Sequence, residues 1–186
     1  MTKTKLWKGY AMPEWSNLKG LFPDEEHFDL HINLYKNYIK KVDDEGDTSE
    51  FQMGGKILHH LYFEQFRVQD DFKKPYGMIL DFIEKNFKSY EAFINAFTEE
   101  AKNFHGSGWI YLAKSGKIKT IKNHKPVKDA IIILDIWEHA WQASDSPKEK
   151  DKYLKNFWKY LAWDIIQSRL PLVESQTMRY LIDILD

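Results

Sequence analysis

The chain has 186 residues and a formal net charge of −1, with 27 Lys and Arg residues against 28 Asp and Glu residues. This balance provides no global basic field for binding nucleic acid. Cysteine is absent, which excludes disulfides, thiolate zinc sites and cysteine nucleophiles, so any metal must be bound by histidine and carboxylate groups.

The hydropathy pattern gives no sign of a membrane partner. No apolar run approaches the length needed to span a bilayer, and the first residues lack the apolar core of a secretory signal. We therefore expect a soluble, cytoplasmic protein. A chain of this length can bury a substantial core as one domain or as two small ones.

The N-terminal half predicts an irregular arm of about twenty residues followed by two helices. Asp24 is placed to cap a helix that begins near Glu25, and apolar residues recur along it at helical spacing. A second helix is predicted from Ser49 to about Val68. The run Pro75-Tyr76-Gly77 then marks a boundary, so we predict that residues 1–76 form the arm and a long α-helical hairpin.

The C-terminal half predicts helices first and then a small sheet. The predicted elements are two helices, a β-hairpin and a third strand, at Met78–Asn86, Tyr90–Phe104, Trp109–Lys114, Lys117–Lys122 and Ala130–Leu134. Helical patterns follow to the C-terminus. The predicted fold class is α+β, with the N-terminal α-helical hairpin followed by an α/β domain, residues 77–186, that contains a small three-stranded antiparallel sheet and ends in a helical extension.

Asp135 and His139 stand out because they directly follow the apolar strand. A charged group at the end of a buried strand is costly unless something compensates it. One interpretation is that Asp135 caps a helix and His139 is hydrogen-bonded nearby. The other is that both residues bind a metal ion, which would compensate the carboxylate.

The remaining histidines provide partners for a metal site. His27, His31 and Tyr35 share one face of the first helix, and His59 lies among apolar residues of the second. Three imidazoles and one carboxylate form a mixed nitrogen and oxygen site suited to iron or manganese and acceptable to zinc. A histidine on the apolar face of a helix is also common as an ordinary core residue. The pattern alone does not show that these residues meet.

Four segments of the sequence together resemble one known family. The run Asp135-Ile136-Trp137-Glu138-His139-Ala140 is similar to a strand-to-helix ligand motif, and Gly106-Ser107-Gly108-Trp109 to a glycine turn before a sheet. His59-His60-Leu61-Tyr62-Phe63 resembles a helical ligand followed by an aromatic pair, and Phe157-Trp158 resembles a late aromatic helix. These are features of the iron/manganese superoxide dismutases, and the resemblance extends from about residue 27 to about residue 170.

The resemblance implies a ligand set and a reaction. It implies that His27, His59, Asp135 and His139 bind one Fe or Mn ion per chain. Superoxide would be the small-molecule substrate, disproportionated to dioxygen and hydrogen peroxide. The four ligands are common to iron and manganese members, so they do not indicate which of the two metals is bound.

The resemblance also implies roles for residues around the metal. Tyr35 would be the tyrosine that gates substrate entry, with His31 as a proton-relay group beside it. Family members place a Gln or His beside the metal-bound solvent. Here Gly55 offers no side chain, so His124, in the loop after the second strand, would take that role and tune the metal's potential.

The resemblance further implies a homodimer formed through the region of Glu138 and His139, with Glu138 reaching the partner's His139. Several residues depart from the family pattern. Gln142 stands where a tyrosine normally bonds across the subunit boundary, Phe63 replaces a Trp, Ala162 replaces an Asn, and the Arg expected near Lys150 is missing. None of these departures is at a predicted ligand.

Two other functional classes remain open from the sequence. A non-catalytic interaction module could keep the superoxide dismutase fold, an alternative favoured by the altered Trp141-Gln142 segment. A zinc-dependent hydrolase would use a metal with an open coordination position, but no separate general base is evident.

Overall fold

The protein was analysed as a computed structural model, which describes residues 13–66, 74–142 and 148–170. Six α-helices and three strands are found within these ranges, besides short 3-10 and π-helical segments. In chain order they are α1 Glu25–Ile39, α2 Glu50–Glu64, α3 Gly77–Phe87, α4 Tyr90–Asn103, β1 Gly108–Ala113, β2 Ile118–Lys122, β3 Ala130–Asp135, α5 Lys148–Phe157 and α6 Trp163–Ser168. The predicted α+β class with an N-terminal helical hairpin is confirmed.

Helix α1 begins where the sequence predicts. The Asp24 carboxylate accepts a hydrogen bond from the His27 backbone N–H, which satisfies one of the unpaired donors of the first turn. The helix continues into one π-helical segment, Lys40–Asp44, before the chain turns back into α2. Helices α1 and α2 pack against each other and form the hairpin.

The three strands form one antiparallel sheet in the order β2-β1-β3. Trp109 in the central strand lies opposite Ile121 of β2 and Asp135 of β3. Every residue of β1 and β3 is buried, whereas β2 is mostly accessible at the edge. Asp135 therefore ends a fully buried strand, as the apolar run before it predicts.

The end of α2 is bound directly to β3 through Gln65. The Gln65 side-chain amide donates to the Ile133 carbonyl at 2.5 Å, and its oxygen accepts from the Ile133 N–H at 3.1 Å. At Ile133, a buried side chain thus satisfies the outer edge of β3. This pairing fixes α2 relative to the strand that leads to Asp135.

The second helix is shorter than predicted, because α2 ends at Glu64 and the chain turns at Gln65 to pair with β3. The predicted extension over residues 171–186 and most of the N-terminal arm lie outside the described residues. The division into domains at residue 76 stays a prediction. Within the described ranges, no helix combines the length and apolarity required to cross a membrane.

Candidate metal centre

Four side chains from four different elements converge at the end of β3. His31 comes from α1, His59 from α2, Asp135 from the last position of β3, and His139 from the short 3-10 helix Glu138–Ala140. One nitrogen or oxygen atom from each lies within 4.8 Å of the corresponding atoms of the other three. A cluster of this size could hold one metal ion.

The Asp135 carboxylate is at the centre of this cluster. Its Oδ2 atom lies 3.1 Å from His31 Nε2, 3.3 Å from His139 Nε2 and 3.9 Å from His59 Nε2. Its Oδ1 atom accepts a hydrogen bond from the Trp137 backbone N–H at 2.8 Å, so one oxygen is fixed by the chain and the other faces the imidazoles. Asp135, His31 and His59 are fully buried, and the side chain of His139 is 24% exposed.

The tautomer of His59 follows from its backbone partner. His59 Nδ1 lies 2.7 Å from the Gly55 carbonyl oxygen, which can only accept, so Nδ1 carries the proton. A neutral ring then presents an unprotonated Nε2 to the cluster. This is the arrangement by which metal-binding histidines are oriented in proteins.

The protonation states also suit a metal. Burial lowers the pKa of His31 to about 4 and the pKa of His59 well below its usual value, so both rings are neutral at neutral pH. Burial alone would raise the pKa of Asp135, but the neighbouring imidazoles His139 and His31 outweigh it and hold that pKa below its usual range. Neutral imidazoles and an ionised carboxylate are the forms that bind a cation.

Two of the imidazole nitrogens that face the cluster have no hydrogen-bond partner among the described residues. They are Nε2 of His31 and Nε2 of His59, each fully buried. His31 Nε2 is close to the carboxylate but is not aligned for a hydrogen bond to it. Buried polar atoms without a partner are rare, and a shared metal ion accounts for both. Three nitrogens with one oxygen fit iron or manganese.

Aromatic rings enclose the cluster. The ring of Phe63 meets His31 edge-on at 4.8 Å between centroids, and Trp109 meets His59 in the same way at 5.0 Å. Trp137 stacks beside His139 at 5.8 Å. Such a shell limits water access and lowers the local dielectric around a bound ion.

Known proteins share this sequence pattern. The family model for iron/manganese superoxide dismutases, C-terminal domain, matches residues 75–169. The superoxide dismutase (Fe) of Coxiella burnetii is 30% identical over 164 residues, which cover 76% of this chain and 84% of the relative. The superoxide dismutase (Mn/Fe) of Porphyromonas gingivalis is 34% identical over 168 residues, covering 78% and 87% of the two chains.

The chain belongs to the iron/manganese superoxide dismutase family. Its relatives include proteins named for iron and proteins named for manganese or both. The superoxide dismutase (Fe) of Methanothermobacter marburgensis, for example, is 25% identical over 167 residues, covering 78% of this chain and 82% of the relative. Family membership does not settle which metal this superoxide dismutase homologue binds.

One predicted ligand requires a correction. His27 does not join the cluster, because its Nδ1 atom lies 2.8 Å from the Asp24 carboxylate at the start of α1. His31 occupies the place that the sequence analysis gave to His27. The two residues are one helical turn apart on the same face, so the spacing could not distinguish them. The other three predicted ligands, His59, Asp135 and His139, lie together in the cluster.

His124 lies beside the cluster, and both of its ring nitrogens are engaged in hydrogen bonds. Trp109 Nε1 donates to His124 Nδ1 at 3.1 Å, so Nε2 carries the proton of the neutral ring and donates to the Tyr38 hydroxyl at 2.9 Å. Burial lowers the pKa of His124 to about 4, which keeps the ring neutral. The His124 ring lies 5.5 Å from that of His59.

Tyr38 is the functional candidate that the sequence analysis missed. Its ring stacks on His59 at 5.2 Å and its hydroxyl contacts His124. A signal was present, since Tyr38 lies two helical turns after His31, and Gly55 leaves room on α2 for its ring. Choosing His27 as the ligand concealed this spacing.

The hydroxyl of Tyr35, the predicted gate, contacts a residue outside the cluster. Its ring stacks on His59 at 6.2 Å, but its hydroxyl pairs with Nδ1 of His60 at 2.9 Å, and the residue is fully buried. His60 had no predicted role. The carboxylate of Glu138, predicted to reach a partner subunit, is exposed and accepts a hydrogen bond from Ser107 at 3.2 Å.

Proposed function

We propose that this chain is a superoxide dismutase that converts two superoxide anions and two protons into dioxygen and hydrogen peroxide at one Fe or Mn ion. His31, His59, Asp135 and His139 would hold the ion. The observation that carries the proposal is the convergence of these four donor atoms in a buried, aromatic-lined site. The names of the relatives support it.

The donor set suits redox chemistry on an anion. The chemistry that a bound iron or manganese ion supplies is the transfer of one electron from a first superoxide to a second. With a metal bound, the four side chains would contribute a single negative charge, because an imidazole binds a metal in its neutral form and Asp135 is ionised. The occupied site would therefore keep a net positive charge, which attracts anionic substrate.

Tyr38 and His124 supply a proton donor at the edge of the cluster. Because the His124 Nε2–H donates to the Tyr38 oxygen, the Tyr38 hydroxyl keeps its own proton available. Burial raises the pKa of Tyr38, so the group remains protonated. We propose that His124 acts on the reaction through this tyrosine, with Tyr38 in the gate role that the sequence analysis gave to Tyr35.

The four converging donors favour an enzyme over a non-catalytic module, and the family resemblance implies a dimer. Glu138 is exposed beside His139, and we propose a homodimer through this region. An interaction module would have no need to retain four converging donors. A cytoplasmic location stays a prediction from the sequence.

The test is metal loading followed by a superoxide-removal assay. Protein expressed separately with iron and with manganese is expected to contain about one ion per chain and to remove superoxide with at least one of the metals, because the donors fit both. The matched control is His59→Ala, which should lose both metal and activity. Protein that takes up only zinc, or that binds iron or manganese without activity, would contradict the proposal.

A further inference from the structure

A pair of buried tyrosine hydroxyls lies beneath the metal cluster. Tyr62, on α2, and Tyr153, on α5, contact each other through their hydroxyl oxygens at 2.8 Å. The Tyr153 hydroxyl also donates to the backbone carbonyl of Asp135 at 3.0 Å. Both side chains are almost wholly buried, so these hydrogen bonds are protected from competition with water.

The direction of the two hydrogen bonds is fixed. The Tyr153 proton is used on the Asp135 carbonyl, which can only accept, so the Tyr62 hydroxyl must donate to the Tyr153 oxygen. The result is a one-way chain from Tyr62 through Tyr153 to Asp135. Hydrogen bonds in such a chain polarise and strengthen one another.

The pair touches the cluster at more than one point. The Tyr62 ring stacks on the His31 ring at 5.3 Å with an interplanar angle of 25°, and Tyr62 follows His59 by three residues on the same helix. Tyr153 holds the main chain of Asp135, whose Oδ2 faces the imidazoles. The pair therefore joins α2 and α5 to the residues that carry three of the four donors.

We infer that Tyr62 and Tyr153 are positioning residues, which hold the Asp135 main chain and the His31 ring in the geometry that the metal requires. This inference rests on the metal site proposed above and adds to it two residues that support the ligands from outside. Outer hydrogen-bond partners commonly change metal affinity by about 10–100-fold when they are removed. Neither tyrosine is one of the four donors, so the effect should reach the reaction only through the residues that carry those donors.

The experiment uses Tyr62→Phe, Tyr153→Phe and the double variant, each loaded with Mn(II). Tyr160→Phe is the matched control, because it also loses a hydroxyl that donates to a backbone carbonyl, that of Lys19, away from the cluster. Affinity is measured by competition with a chelator, and the metal environment by electron paramagnetic resonance. Urea unfolding of the metal-free proteins separates metal effects from stability.

We expect Tyr62→Phe and Tyr153→Phe each to weaken Mn(II) binding by about tenfold and to alter the resonance spectrum. The control should change neither, even if it is less stable. Because Tyr62 acts on Asp135 only through Tyr153, the double variant should bind Mn(II) within about twofold of Tyr153→Phe, a non-additivity typical of groups in one network.

Wild-type affinity and an unchanged spectrum in both single variants would overturn the inference while leaving the metal site intact. The same loss of affinity in Tyr160→Phe would also overturn it, because a general effect of stability would then explain the result. A wild-type protein that binds neither iron nor manganese would contradict the proposed function itself. If one variant does not fold, the other single variant decides.

Discussion

At the residue scale, the identity of the α1 donor decides the geometry of the whole site. His31 is fully buried with Nε2 3.1 Å from the Asp135 carboxylate, whereas His27 is partly exposed and bound to Asp24. Both are imidazoles on one helix face, so they form a matched pair for mutation.

We predict that His31→Ala abolishes stoichiometric metal binding and activity, because it removes one of the four donors and the imidazole that lies nearest to the buried Asp135 carboxylate. His27→Ala should retain metal and activity and change the free energy of unfolding by less than about 1 kcal/mol, as expected for a partly exposed helix-end contact. Elemental analysis and urea unfolding check both. Loss of metal from His27→Ala with retention in His31→Ala would contradict the assignment.

A second residue-scale prediction concerns the two tyrosines of α1. Tyr38→Phe removes the hydroxyl that contacts His124 and should lower superoxide removal per bound metal by about tenfold, with metal content unchanged. Tyr35→Phe removes only the contact with His60 and should have a smaller effect. Activities normalised to metal content provide the comparison. The reverse order would restore Tyr35 as the gate.

The site was only partly predictable at this scale. His59, Asp135 and His139 were accessible from sequence because each has a distinctive position, within an apolar helix stripe or after an apolar strand. His31 was assigned as a proton-relay group instead of a ligand, and Tyr38 was given no role, because helical periodicity places His27 and His31 on one face and does not show which of them reaches the cluster. The structure distinguishes His27 from His31, because the His27 ring is bound to the Asp24 carboxylate that caps the helix.

At the element scale, two adjacent glycines determine how closely α2 approaches its neighbours. A Cβ atom at Gly54 would lie 2.6 Å from the backbone carbon of His124, and one at Gly55 would lie 2.5 Å from the Tyr38 ring. Both distances are shorter than the contact that two non-bonded carbon atoms tolerate. The atom that blocks Gly54 belongs to the main chain, whereas the atoms that block Gly55 belong to a side chain that is partly accessible.

We predict different outcomes for the two alanine substitutions. Gly54→Ala should destabilise the fold by about 2 kcal/mol, because overpacking costs up to about 3 kcal/mol and the gain in helix propensity returns about 1 kcal/mol. Gly55→Ala should cost less stability but displace Tyr38 and lower activity per metal. Urea unfolding and the activity assay check this prediction. Equal effects of both substitutions on stability and activity would contradict it.

Most of the elements themselves could be predicted because their signals are local. The cap at Asp24, the glycine turn before β1 and the apolar run of β3 each fix a boundary within one or two residues. The end of α2 was predicted four residues too late, since the helix stops where Gln65 pairs with Ile133. That contact joins residues 68 positions apart in the chain, so no local sequence pattern indicates it.

At the scale of the whole molecule, the proposed dimer gives Glu138 a role at the interface between subunits. Its carboxylate is exposed and accepts a hydrogen bond from Ser107. The family resemblance implies that it reaches the His139 of a second copy, which would connect each metal site to the interface. Gln142 departs from the family's usual tyrosine, so in the proposed dimer Glu138 would carry a larger share of that contact.

We predict that the protein is a homodimer at micromolar concentration and that Glu138→Ala shifts it towards monomer, because a contact with the partner subunit is lost. Sedimentation velocity measures the change. Glu91→Ala, which removes an exposed carboxylate on α4, is the control and should leave the dimer intact. A wild-type protein that sediments as a monomer would contradict the proposed assembly.

The most direct test of the metal site is the position of the ion itself. Crystals of protein loaded with manganese or iron, measured on both sides of that metal's absorption edge, give an anomalous map that locates the ion independently of any refinement. We predict a single strong peak per chain between His31 Nε2, His59 Nε2, Asp135 Oδ2 and His139 Nε2, at about 2.0–2.2 Å from each. A peak bound by His27, or a map with no peak at the end of β3, would contradict the account.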